Sequence, residues 1–147
     1  MLSYNMRFND ENTLDPGIHE MEWDDFYAFF SFSPKRKELL EGLEKVIPIL
    51  WEVGCSAIYI NGSFVTNKLE PGDWDACFDC DSIKIVNDLL NAYPLFDRKK
   101  QKELYKGELF YAQSIADEFG NIFLDFFQQI RYSNKKKGIV KINLYNI

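Results

Sequence analysis

A chain of 147 residues that is 46% hydrophobic and 27% charged can bury one well-packed core. Its 23 acidic and 17 basic residues give a net charge of −6, which disfavours tight nonspecific binding to duplex DNA but leaves room for a local basic patch that holds phosphates. No apolar run approaches the ~20 residues of a membrane-spanning helix, and the opening MLSYNMRFNDEN lacks the apolar stretch of a signal peptide. Three cysteines (Cys55, Cys77 and Cys80) cannot make a disulfide framework, so a reducing cytoplasm is the expected setting.

In chain order, residues 1–32 mix acids with aromatics around a Pro16-Gly17 turn signal. They read as an extended arm leading into a short helix around Trp23–Phe30, packed on the main domain. Ser33 is a good N-cap and Pro34 suits the first helical position. Leu39, Leu40, Leu43, Val46, Ile47 and Leu50 then recur at helical spacing as far as Gly54. Ala57–Ile60 reads as a buried strand, followed at once by Gly62-Ser63, a short helical turn and a Pro71-Gly72 loop. Asp73–Phe78 alternates acids with bulky apolar residues and reads as a second strand. A helix is expected over Ser82–Asn91, a basic helical segment over 97–106 and a strand over Glu108–Ala112. Ile122–Ile130 fits helix or strand, Lys135–Gly138 a turn, and Ile139–Leu144 a final strand. The order predicts an α/β (α+β) domain.

One stretch carries the chemistry. The absent side chain of Gly62 lets a ligand approach the backbone at the end of a buried strand. Ser63 is expected to cap a short helix whose free N–H groups, with its own hydroxyl, face an anion such as phosphate. Ten residues beyond Ser63, Asp73 and Asp75 point the same way from one strand, roughly 7 Å apart at Cα. That spacing suits a hard cation, and magnesium takes oxygen ligands from one or two carboxylates plus substrate phosphates. Acids alternating along a strand more often mark a solvated edge, yet Asp is depleted in strands and a pair flanking Trp74 is unusual.

The hydrophobic strand, Gly62-Ser63, and Asp73-Trp74-Asp75 after about ten residues resemble the active-site motif of the polymerase-β-like nucleotidyltransferase superfamily. Asp15-Pro16-Gly17, Ser33-Pro34-Lys35-Arg36, Gly62–Thr66, Phe126-Phe127-Gln128 and Lys137–Val140 further resemble an uncharacterised family of short bacterial and phage nucleotidyltransferase-like proteins, over roughly residues 8 to 144. The resemblance implies a single nucleotidyltransferase-like domain over 1–147, built on the minimal fold of a small mixed sheet flanked by helices. It implies metal-dependent transfer of a nucleoside monophosphate from a nucleoside triphosphate, ATP among the candidates, to a hydroxyl of RNA, a protein or a small molecule. Mg2+ or Mn2+ would sit on Asp73 and Asp75, with the nucleotide phosphates at Gly62 and Ser63. A third carboxylate usually comes from a later strand. Glu108 opens the first strand after the helix and is favoured, although Gly107 precedes it and the residue is Glu; Asp125, between Leu124 and Phe126, is the alternative. The contrasting expectation is a weakly active or inactive binding module with a protein partner, such as half of a toxin–antitoxin or phage-defence pair, since so short a chain leaves little room for an acceptor-binding domain.

Other residues are read more plainly. Lys68, in the loop between the halves of the motif, is the candidate to reach the triphosphate. The run Arg98, Lys99, Lys100 and Lys102 suits either a polyanionic acceptor or a solvated helix face, and Lys135–Lys137 reads as a surface turn. Cys77-x-x-Cys80 lacks the second pair that a zinc site needs. His19, the sole histidine, sits in the arm, away from any triad. The aromatic segments 23–32 and 122–127 are expected to be mostly core and not a base-stacking platform.

Overall fold

The structure, a computed structural model, describes residues 6–80, 95, 97–130 and 132–146. The helix expected over Ser82–Asn91, with its cap at Asp81 or Ser82, lies outside the described residues. The N-terminal arm does more than lead into a helix. Gly17–Glu20 forms strand β1, which pairs in parallel with β5 (Gly138–Asn143) from Gly17 opposite Gly138 to Glu20 opposite Lys141. Helix α1 then spans Trp23–Phe30, as the sequence predicts.

Helix α2 spans Pro34–Glu52. The Ser33 hydroxyl accepts from the Arg36 backbone N–H at 3.2 Å and donates to the Leu69 carbonyl at 2.6 Å, so one cap also ties down a distant loop. Pro48 is carried inside this helix. Strand β2 (Cys55–Asn61) ends in a four-residue 3-10 turn, Gly62–Val65, and β3 covers Trp74–Cys80. The basic segment becomes α3 (Arg98–Tyr105), capped by the Asp97 side chain, and β4 is Gly107–Tyr111. The ambiguous segment 122–130 contains one short helix, α4 (Phe123–Phe126).

These elements form an α+β fold around a five-stranded mixed sheet of order β1-β5-β2-β3-β4. β2 is antiparallel to both β5 and β3, while β3 and β4 run parallel. Strand alternation divides the side chains between two faces. Ile58, Ile60, Trp74, Ala76, Phe78, Leu109, Val140 and Ile142 join Phe26 and Phe30 of α1 and the apolar side of α2 in the main core. Ala57, Tyr59, Cys77 and Ile139 face the other way, under Phe110, Phe123, Leu124 and Phe127. The candidate acids lie on that second, more thinly covered face.

Candidate active site

The register of the central strands assembles the acids. Asp75 lies opposite Asn61 on β2 and opposite Glu108 on β4, so their side chains share one face. Asp73 precedes β3 by one residue and returns to the same side. Carboxylate oxygens of Asp73, Asp75 and Glu108 all come within 4.8 Å of one another, each half-buried. Of the two candidates for the third acid, Glu108 joins the cluster. Asp125 lies exposed on α4 and does not.

The residues between the acids explain their placement. Trp74 is fully buried, and its indole N–H donates to the Tyr105 carbonyl at 2.6 Å. Gly107 lets the parallel strand press onto that indole, because a Cβ there would collide with the ring. The Gly before Glu108 is therefore what brings Glu108 beside Asp75. On the other flank Gly62 has φ 70°, and a Cβ on it would sit 2.7 Å from the Asp75 Oδ2. Its missing side chain is filled by the carboxylate itself.

The 3-10 turn corrects one expectation. Asn61, not Ser63, occupies its cap position, and no side chain caps it. Ser63 lies within the turn, where its carbonyl accepts from the Thr66 hydroxyl at 2.6 Å and the Thr66 N–H at 3.3 Å. The turn is held from below by Phe64, fully buried with ring centroids 6.0 Å from both Phe26 and Phe30. Beside it, the buried Arg36 guanidinium binds four carbonyls: Phe64 at 2.7 Å, Thr66 at 2.6 Å, Lys68 at 2.8 Å and Phe30 at 3.4 Å. It stacks on Phe32, 4.1 Å from the ring centroid. Burial pulls its pKa down to about 10, so it stays charged at neutral pH. Lys68 is exposed on this loop and does not line the cleft described below; its role here is the backbone carbonyl that Arg36 grips.

Electrostatics single out Asp75. Desolvation, then repulsion from Asp73 and Glu108, pushes its carboxyl up to about 6, against the pull of Lys102 and Lys137. Lys102 of α3 reaches over the acids, with Nζ 2.8 Å from Glu108 and 3.7 Å from Asp73. The hydrogen bond to Glu108, aided by both negative charges, holds this ammonium above the usual lysine range. Lys137, the residue before β5, is half-buried, and desolvation lowers its pKa while Asp75 works to raise it. Nothing in the local sequence separates these two lysines from their basic runs. The amide oxygen of Asn61, fully buried beside Asp75 in the register, has no hydrogen-bond partner among the described residues.

A cleft of about 1150 Å3 opens from Gly62, Asp75, Glu108 and Lys137 toward an aromatic wall. Phe110 and Phe123 stack with centroids 4.5 Å apart, and Phe127 lies 5.6 Å from Phe123. Phe119 and Tyr132, exposed at 83% and 94%, stand on its rim. Phe119 is presented by a loop that Asp117 braces, accepting from the N–H groups of Phe119 and Asn121 at 3.0 Å each. The expectation that segment 122–127 is mostly core holds only in part: Phe123, Leu124 and Phe127 pack on the second-face cluster, but no residue of α4 is fully buried and its rings also line the cleft. Segment 23–32 does supply core, through Phe26 and Phe30. Cys77 and Cys80, three residues apart on β3, fall on opposite faces of the sheet and do not converge. The Cys77 thiol is pushed up to about 12 by burial.

No helix among the described residues is long and apolar enough to cross a membrane. No curated protein and no solved structure matches the chain. A family model does match, over residues 6–143, and the chain belongs to that family, DUF6932, a family of unknown function.

Proposed function

We propose that the chain is a cytoplasmic, metal-dependent nucleotidyltransferase, which moves a nucleoside monophosphate from a nucleoside triphosphate to a hydroxyl of RNA, a protein or a small molecule. The observation that carries this reading is the convergence of Asp73, Asp75 and Glu108 within 4.8 Å beside the bare backbone of Gly62. Three hard oxygen donors in a half-buried site suit Mg2+ or Mn2+; Asp75 is raised first by desolvation and then by repulsion from Asp73 and Glu108, and a divalent cation would relieve that repulsion. Bound there, the metal would supply positive charge against the charge that develops on the transferring phosphoryl group.

The chain's own residues do the rest. Gly62 lets the Asp75 carboxylate lie against bare backbone at the mouth of the cleft, and the neighbouring Ser63 hydroxyl is the donor for a phosphate brought there. The acceptor oxygen attacks the α-phosphorus as the bond to the β-phosphate breaks, so pyrophosphate leaves. The acceptor's proton passes to the Glu108 carboxylate, which Lys102 orients through its 2.8 Å contact. Phe110, Phe123 and Phe127, stacked on one another, give a nucleobase an apolar wall along the cleft. Positioning and charge stabilisation are the main requirements of phosphoryl transfer, so few specialised side chains are needed.

A second reading has one observation in its favour. Lys102 already bridges two of the acids and offsets one of their charges, as in a binding module where an ammonium permanently replaces the metal, partnered by another protein. Label transfer separates the two. Each α-labelled nucleoside triphosphate is incubated with magnesium or manganese and with total RNA, total protein or small-molecule hydroxyls. Label is expected on one acceptor class and absent with the Asp73→Asn/Asp75→Asn double variant. Absence of label in every combination, or label indifferent to the double substitution, contradicts the transferase.

A further inference from the structure

The run Lys135-Lys136-Lys137 reads as one basic turn in the sequence, but its members have three different environments. Lys135 pairs with Glu11 at 3.2 Å, and Lys136 is exposed. Lys137 is half-buried in the cleft wall, and its ammonium makes no hydrogen bond or ion pair with any described residue. Its backbone is fixed on both sides: its own N–H donates to the Gln128 carbonyl at 2.8 Å, and the Gly138 N–H donates to the Leu14 carbonyl at 3.0 Å. The lysine is thus held in place with no hydrogen-bonded or ion-paired partner among the described residues, and only the more distant Asp75 carboxylate offsets its charge. An ammonium kept from bulk water and left unpaired is costly unless an anion meets it.

The charge balance of the cleft says when an anion would. The carboxylates of Asp73, Asp75 and Glu108 face the ammoniums of Lys102 and Lys137, one negative charge in excess. A divalent cation on the acids reverses that sign and draws in a polyanion. We infer that Lys137 is the phosphate anchor of this cleft, the residue that binds the polyphosphate end of a nucleoside triphosphate and then its pyrophosphate. The inference rests on the proposed transferase reading, deepens it by a residue, and gives Lys137 the role that the sequence suggested for Lys68. A lysine does this as a point charge with three donors, which tolerates a moving phosphate chain.

The test uses inorganic tripolyphosphate and the full chain, titrated by calorimetry at pH 7.5 and low salt, without magnesium and then with it in excess. The parent is expected to bind, more tightly with magnesium. Lys137→Met weakens binding by at least about 10-fold, Lys137→Arg stays within about 3-fold, and Lys136→Met matches the parent. Thermal melts accompany each variant, and Lys137→Gln stands in if the Met variant melts early. Parental affinity in a folded Met or Gln variant, or a parent that binds nothing under either condition, overturns the anchor. Two outcomes separate it from the reaction. Tripolyphosphate bound through Lys137 in a protein that transfers no nucleotide supports the anchor and removes the transferase. Nucleotidyl transfer with an unchanged KM in Lys137→Met does the reverse.

Discussion

Gly62 and Asp75 are fitted to each other at the distance of a single side chain. With φ at 70° and the Asp75 Oδ2 only 2.7 Å from where a Cβ would lie, Gly62→Ala adds backbone strain to a clash with a carboxylate. A loss of about 2 kcal/mol is expected in urea denaturation; an unchanged midpoint would contradict the close approach. Asp75 itself gives a pH signature. Its carboxyl is pushed up to about 6 in the fold from the ordinary 3.8, so the folded form holds its proton longer. Stability therefore declines as pH rises from about 4 to 6, and the full penalty is present above that window. Asp75→Asn escapes it. In chelator, the variant's advantage in unfolding free energy, read from urea denaturation, should be absent near pH 4, grow through pH 6 and then level off, reaching roughly 2 kcal/mol after allowance for solvent screening. A difference flat in pH would remove repulsion and desolvation as the cause. These two residues were legible because they belong to one local motif. Lys102 and Lys137 were not, since neighbouring lysines look alike in sequence and only packing against distant segments tells them apart.

Among the elements, α1, α2, β2, β3, β4 and β5 were each anticipated to within a few residues, because periodicity, caps and glycine stops are local signals. Strand β1 was missed for the converse reason. Gly17–Glu20 has no apolar alternation, and it is a strand because β5 pairs with it. The four-residue α4 is too short for any period to settle, which also hid the cleft wall. The loop after the 3-10 turn shows the same dependence on distant partners: nothing near Lys68 in sequence predicts that Arg36, 32 residues earlier, binds its carbonyl. Arg36→Met removes hydrogen bonds to four carbonyls and should cost about 3 kcal/mol, measured by denaturation. Faster amide exchange over residues 64–69 is expected with it. Arg36→Lys should not restore protection, because one ammonium cannot span that fork of acceptors. Full protection in either variant would mean that Phe64 and the Ser33–Leu69 bond hold the loop without the guanidinium.

For the whole molecule, the sheet works as a partition. One face is packed against α1 and α2 around Trp74, Phe78 and Ile58; the other carries the acids, Lys137 and the aromatic cleft. Parallel pairing of β3 with β4 decides which later acid stands beside Asp75, since Asp75 lies opposite Glu108 in that register. Local sequence texture instead favoured Asp125, so topology, read from the expected order of strands, was the better guide. The central claim is that these three carboxylates act as one metal site, and manganese binding tests it most directly. Mn2+ is titrated into the parent and into Asp73→Asn, Asp75→Asn, Glu108→Gln and Asp125→Asn, with free ion followed by electron paramagnetic resonance. Binding should weaken at least about 10-fold in each of the first three variants and remain at the parental level in Asp125→Asn. Parental affinity in Glu108→Gln, or equal binding in all four variants, would contradict the account.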